Sequence, residues 1–280
     1  MVIHEHDQQV LRALAAARAE HEELADLIDF YKQLYELQFA FKVGLSELQA
    51  RDPVAMRWRL EGGIPQLTFD QLQIDPESFG ELVGQIADHL QRHNPGWQID
   101  QNAWTLDALV AQARDVFETW DTLTSPKPSA ESQPVGQSVP IRPMALAVGF
   151  ALAPYLRHAA EGILPHLDLN LWTMGYCPVC GGRPNLALLE AERGARQLLC
   201  SRCASLWNYS RLGCPFCRSK EKQTYYLSDD GVYRLYICPS CHRYLKTVDL
   251  RELQREVYPE VERLVTVGMD LAAQQEGIPG

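Results

Sequence analysis

Cys177-Pro178-Val179-Cys180, Cys200-Ser201-Arg202-Cys203, Cys214-Pro215-Phe216-Cys217 and Cys238-Pro239-Ser240-Cys241 contain every cysteine of this 280-residue chain. The four C-x-x-C pairs repeat. Their first members lie 37 residues apart and their second members 38 apart, with nineteen residues between the pairs of the first half and twenty in the second. A C-x-x-C turn aims two sulfurs at one centre, and two such turns joined by a hairpin bring four thiolates to the corners of a tetrahedron. Zn²⁺ or a single iron prefers that arrangement, and the spacing fits the tetracysteine pattern of such sites. We assign Cys177, Cys180, Cys200 and Cys203 to one metal and Cys214, Cys217, Cys238 and Cys241 to a second. Each half then reads as knuckle, hairpin, knuckle.

Other uses of these cysteines fit the sequence less well. Disulfides suit secreted chains, and the start Met1-Val2-Ile3-His4-Glu5-His6-Asp7 is acidic and lacks a basic segment followed by an apolar run. No pair sits between a strand and a helix as a thioredoxin motif would. Cys238-Pro239-Ser240-Cys241-His242 also spells a haem-attachment motif, but haem would take two ligands from the second site. A purely structural metal remains open, because a hairpin unit of this size buries too little to fold alone.

Outward from the cysteines, Tyr225-Tyr226-Leu227, Asp229-Asp230-Gly231 and Val232 to Ile237 read as strand, turn, strand. Asn185 to Leu199 reads likewise around Glu192-Arg193-Gly194. The first half of the chain is helical. Leu24, Leu27, Ile28, Tyr31, Leu34 and Tyr35 fall on one helix face. Asp75-Pro76-Glu77 starts a helix running to about Arg92, and Thr105 caps another carrying Leu106, Leu109, Val110, Ala113, Phe117 and Trp120. Ser125 to Pro143 reads as a linker, and Met144 to Ile163 as a buried helix that Pro154 kinks or restarts. The chain after Asp249 reads as helix divided by Pro259. The expected class is α+β: a mainly helical body (1–174), two tandem rubredoxin-like or zinc-ribbon β modules (175–211 and 212–248), and C-terminal helices packing on the body (249–280).

Charge narrows the function. The chain carries a net −10, yet residues 175–247 hold eleven Lys or Arg against five Asp or Glu. Filled tetrathiolate sites offset much of that excess, so we expect the basic side chains to serve partly as counterions and expect no nucleic-acid partner. The longest apolar run, Met144 to Leu156, is too short to insert in a membrane. These features point to a cytoplasmic protein. His4 and His6 read as a solvated terminus, and His89 and His93 as surface residues one helical turn apart. No phosphate loop, nucleophile motif or acid–base pair stands out, so no catalytic residue is assigned and the chain is read as a non-enzyme. Tyr176, Trp207 and Phe216, beside the knuckles, are candidate partner-contact residues.

Cys177-Pro178-Val179-Cys180-Gly181-Gly182-Arg183-Pro184, preceded by Trp172 and followed by three further pairs, resembles the formate dehydrogenase accessory proteins of the FdhE type. The Gly63-Ile64-Pro65 turn and the closing Met269-Asp270-Leu271-Ala272-Ala273-Gln274-Gln275-Glu276-Gly277 resemble that family as well. The second site departs from the rubredoxin pattern at Arg218, where glycine follows many such knuckles. The resemblance implies a cytoplasmic maturation factor that contacts the formate dehydrogenase catalytic subunit and binds iron in two rubredoxin-like sites, with zinc as the alternative metal. A rubredoxin-like electron carrier and a zinc-ribbon nucleic-acid binder are the rival readings. The sequence leaves the oligomeric state open.

Overall fold

The computed structural model describes residues 3–48, 51–99, 104–124 and 143–279. Six α-helices precede the cysteines: α1 (Glu5–Glu20), α2 (Ala25–Lys42), α3 (Pro53–Glu61), α4 (Pro76–His93), α5 (Leu106–Thr124) and α6 (Pro143–Ile163). Their starts follow local chemistry. The Asp75 carboxylate accepts from the Ser78 N–H at 2.9 Å, and Pro76 fills the first turn, where no donor is needed. Asp52 and Pro53 repeat the device, and Thr105 accepts from the Ala108 N–H at 3.2 Å. Residues 125–142 of the expected linker lie outside the described residues, as does the side chain of Trp120; Pro143 opens α6.

Helix α6 is the axis of the body, packed by α2, α4 and α5. Ala147, Val148, Ala151, Leu152, Leu156, Ala159 and Ile163 are buried along it. Pro154 lies inside this helix and has no N–H to offer the Phe150 carbonyl one turn back. Gln38 of α2 supplies the missing donor, its Nε2 meeting the Phe150 oxygen at 2.8 Å. An interior proline thus becomes a helix–helix tie.

Beyond the body lies one six-stranded sheet: β1 (Pro184–Leu189), β2 (Arg196–Cys200), β3 (Leu206–Tyr209), β4 (Thr224–Leu227), β5 (Tyr233–Ile237) and β6 (Tyr244–Asp249). The spatial order is β3-β2-β1-β6-β5-β4. Each cysteine half contributes a three-stranded meander, with a third strand after its second knuckle that the hairpin reading did not include. The halves join through β1 and β6, which run parallel with Ala187, Leu188 and Leu189 opposite Thr247, Val248 and Asp249. The first and third strands of a meander run the same way, so stacking two meanders head to tail makes this seam parallel.

Alternation divides the sheet into two faces. Ala187, Leu198, Trp207 and Leu245 face the main core with the helices, while Leu186, Leu188, Leu199 and Val248 form a second cluster with Val232. Two closing helices, α7 (Pro259–Val265) and α8 (Val267–Gln275), return to the body, where Val261 and Leu264 pack with Val10, Leu14, Ile28 and Phe39. Pro259 opens α7 and does not divide a longer helix; 3₁₀ and irregular backbone precede it.

One histidine expectation is corrected. His89 is fully buried, stacked on Phe30 with ring centroids 4.6 Å apart and bonded to the Phe30 carbonyl at 2.9 Å, whereas His93 is exposed. His4 and His6 lie at the start of α1, and the His6 ring approaches Glu260 at 3.8 Å. No helix among the described residues is long and apolar enough to cross a membrane.

Replacing Gln38 by Leu orphans the Phe150 carbonyl and should cost about 2 kcal/mol. In a Pro154→Ala background the helix regains its own N–H at that position, so the same replacement should cost clearly less; a double-mutant cycle by urea denaturation reads the difference. The second expected outcome concerns Glu260, which is buried and accepts from Arg157 at 2.9 Å. Burial opposes its ionisation, but the His6 bond and the Arg157 and Arg263 charges outweigh it and hold the carboxyl far below its ordinary value of 4.5. Its contribution is therefore complete above that value and fades as pH falls below it. The stability gap between wild type and Glu260→Gln, followed by urea midpoints, should narrow on acidification through this range.

Candidate metal centres

Four knuckles hold the eight thiols, and all four share one backbone. The N–H of the first cysteine meets the carbonyl five residues on: Cys177 to Gly182 at 2.8 Å, Cys200 to Ser205 at 2.9 Å, Cys214 to Ser219 at 2.9 Å, Cys238 to Arg243 at 3.0 Å. The residue after each second cysteine is left-handed, with φ of 74° at Gly181, 58° at Ala204, 62° at Arg218 and 57° at His242. Only Gly181 takes this conformation without a Cβ penalty; elsewhere it costs about 1–2 kcal/mol. Arg218 thus preserves the knuckle that a glycine would make.

The sulfurs converge in two groups, and the members of each lie within 4.8 Å of one another. In the first, Cys177 is 3.5 Å from Cys203, and Cys180 is 3.5 Å from both Cys200 and Cys203. In the second, Cys214 is 3.7 Å from Cys241 and Cys217 is 3.6 Å from Cys238. A tetrahedral metal with sulfur at about 2.3 Å has an edge of about 3.8 Å. These spacings fit such an ion, and all eight thiols are free of disulfides. Sulfurs from different halves are not mixed in either group.

The two groups differ in exposure. All four thiols of the first are buried, and they belong to the main hydrophobic core. The body clamps this site: Gln66 and Leu67 donate backbone N–H groups to the carbonyls of Pro178 and Val179, both at 2.9 Å. In the second group Cys217 is exposed and Cys241 half-buried. Gly175 lets the two approach each other, because a Cβ there would lie 1.9 Å from the Pro215 carbonyl oxygen.

Electrostatics set the condition for filling. Burial pushes the Cys177 and Cys200 thiols well up. Cys203 is held well down despite burial, by bonds from the neighbouring thiols and from the Ser205 hydroxyl at 3.0 Å. At the second site burial raises Cys214 above its ordinary range and Cys241 to about 11, while backbone N–H groups of Cys241 and Ser240 outweigh burial and bring Cys238 to about 7. Four thiolates cannot share either space without a cation to balance them. Several basic side chains of this region answer other groups. Arg196 donates to the carbonyls of Ser210 and Gly213, Arg234 pairs with Asp249, and Lys246 pairs with Asp270.

The aromatic candidates need one correction. Trp207 is 1 % exposed and donates to the Met174 carbonyl at 3.1 Å, so it is core and offers no outer surface. Tyr176 and Phe216 are half-buried; the Tyr176 hydroxyl donates to the Gly63 carbonyl at 2.7 Å, and Arg243 lies 5.4 Å over the Phe216 ring. The exposed apolar residues of the modules are instead Leu212, Tyr225, Tyr226 and Leu227. For Tyr225, Tyr226 and Leu227 the signal in the sequence is an apolar run with no polar alternate, whereas Leu212 stands alone in a turn between β3 and β4.

Metal analysis should give two equivalents per chain in wild type and one in either Cys200→Ser or Cys217→Ser. Because Cys217 is exposed, a chelator should strip the second site first. Acid should empty both, since protons compete for the thiolates.

The family profile "FdhE, central domain" matches residues 176–211. An FdhE homolog of Aquifex aeolicus is 37% identical over 112 residues, spanning 38% of this chain and 39% of that one. One from Pseudomonas aeruginosa is 27% identical over 283 residues, covering 92% and 82%. One from Haemophilus influenzae is 31% identical over 139 residues, covering less than half of each. The crystal structure of the FdhE protein from Pseudomonas aeruginosa shares the fold, with a TM-score of 0.58 at 24% identity over 97% of this chain and 90% of that one.

Proposed function

We propose that this chain is a member of the FdhE family and serves as a cytoplasmic accessory factor in the maturation of respiratory formate dehydrogenase, without catalytic activity of its own; the matching central-domain profile and the FdhE homologs support the reading. In this reading it binds the catalytic subunit of that enzyme through or near its two metal sites. The observation that carries the reading is the pair of tetrathiol centres on one sheet, one sealed in the core and one open to solvent. Cys177, Cys180, Cys200 and Cys203 would hold a structural ion, while Cys214, Cys217, Cys238 and Cys241 would hold one at the surface. The donor set suits either Zn²⁺ or iron, and the family resemblance favours iron at both sites. Elemental analysis with an absorption spectrum of anaerobically purified protein decides the metal.

A partner that binds the filled second site more tightly than the empty one makes recognition conditional on metal. Emptying the first site would disturb the main core, so the informative variant is Cys217→Ser with Cys241→Ser. This variant should keep its helical circular dichroism and lose at least most of its capture of the catalytic subunit in a pull-down. Equal capture by the folded variant would rule out metal-dependent recognition. Full formate dehydrogenase activity in cells lacking the protein would rule out the maturation role.

The exposure of Cys217 also favours a second reading, electron transfer. An iron at the second site would supply one-electron chemistry close to solvent. A reversible potential lost with Cys217→Ser while client capture persists would support that reading over the first.

A further inference from the structure

The head-to-tail sheet leaves two unlike edges. At one end, β3 is packed by the 3₁₀ turn Leu169–Leu171 and anchored by Trp207. At the other, all four residues of β4 are exposed, including Tyr225 at 49 %, Tyr226 at 65 % and Leu227 at 52 %. In the repeat, β4 is the counterpart of β1, and the outer edge of β1 is already taken by β6. An uncovered edge with consecutive apolar side chains is a template for another strand.

The hydrogen-bond phase of that edge is fixed by the hairpin. Ser228 donates to the Tyr233 carbonyl at 2.9 Å, so alternate residues Tyr226 and Thr224 bond toward β5. Tyr225 and Leu227 therefore direct their N–H and C=O groups outward. Charges flank the strand asymmetrically, with Lys220 and Lys222 before it and Asp229 and Asp230 after it.

The geometry points to a second copy of this chain as the occupant, pairing β4 antiparallel to β4 about a twofold axis at Tyr226. In that register Tyr225 of each copy lies opposite Leu227 of the other and exchanges both backbone bonds with it. Beyond the paired strands, the basic flank at Lys220 and Lys222 of each copy approaches the acidic turn at Asp229 and Asp230 of the other, twice by symmetry. Centring the axis on Tyr225 would instead set Leu227 opposite Gln223, outside the strand, and break up the apolar overlap of Tyr225, Tyr226 and Leu227. The result is a continuous twelve-stranded sheet in which β4 is no longer an edge, with the second metal site of each copy near the junction.

Light scattering of the metal-loaded full chain at rising concentration should show the mass climb from 31.7 kDa toward twice that value. Leu227→Pro removes an outward N–H that makes no bond within the sheet, and should leave a folded monomer. Lys222→Glu should weaken the dimer about tenfold. Tyr226→Cys should give a covalent dimer on mild oxidation, in higher yield than Tyr225→Cys or Leu227→Cys, because only position 226 meets itself across the axis. Leu212→Asp, exposed but away from this edge, should change nothing. A wild type that stays monomeric at the highest concentration overturns the proposal, as does a dimer that survives Leu227→Pro. Loss of the dimer with Leu212→Asp, or no preference for position 226 in crosslinking, overturns it too.

Discussion

Four thiols in a water-excluded core govern this molecule. Cys177, Cys180, Cys200 and Cys203 share a hydrophobic cluster with Phe79, Ile86, Leu152 and Trp207, so the first site is part of the interior that joins helices to sheet. Such a space accepts four ionised sulfurs only if a cation is among them. Packing and coordination are therefore one problem here, and an ion that answered it would contribute directly to folding.

The second site repeats the backbone of the first in a different setting. Its knuckles have the same bond pattern and left-handed corners, yet Arg218 and His242 stand where the first site has Gly181 and Ala204. The difference between the sites lies in what surrounds them. Body segments cover the first, whereas Cys217 of the second reaches solvent. A duplicated unit has thus become one interior centre and one surface centre through docking of a single half. Buried carboxylates complete the docking: Asp249 is held by Arg234 and Arg251 beside the seam, and Glu260 by Arg157 where α7 meets the body.

Much of this was legible in the cysteine spacing and in the capping residues. The sulfurs gather in the two groups that the repeat assigned, and Asp75, Thr105 and the Glu192-Arg193-Gly194 turn mark their elements. What the sequence withheld was long-range. β3 and β6 each follow a knuckle, and nothing local announces that β6 will lie beside β1. His89 looked like a surface residue because its partner, the Phe30 carbonyl, lies on another helix. Trp207 looked like a contact aromatic because the Met174 carbonyl that takes its N–H is distant in sequence. Pro154 looked like a break because Gln38, which repairs it, is on α2.

The parallel seam bears on the order in which a growing chain can assemble. Leu188 pairs with Val248, some sixty residues later, so the seam closes only after nearly all the second module has been synthesised. The first four cysteines are complete at Cys203, well before that point. During elongation the first meander can therefore capture its ion and settle against the helices while the outer edge of β1 still waits for its neighbour. Emergence of β6 then shields that edge. The nascent chain passes through an interval in which β1 is an uncovered edge, and a metal bound early would shorten the time the first module spends unfolded within it.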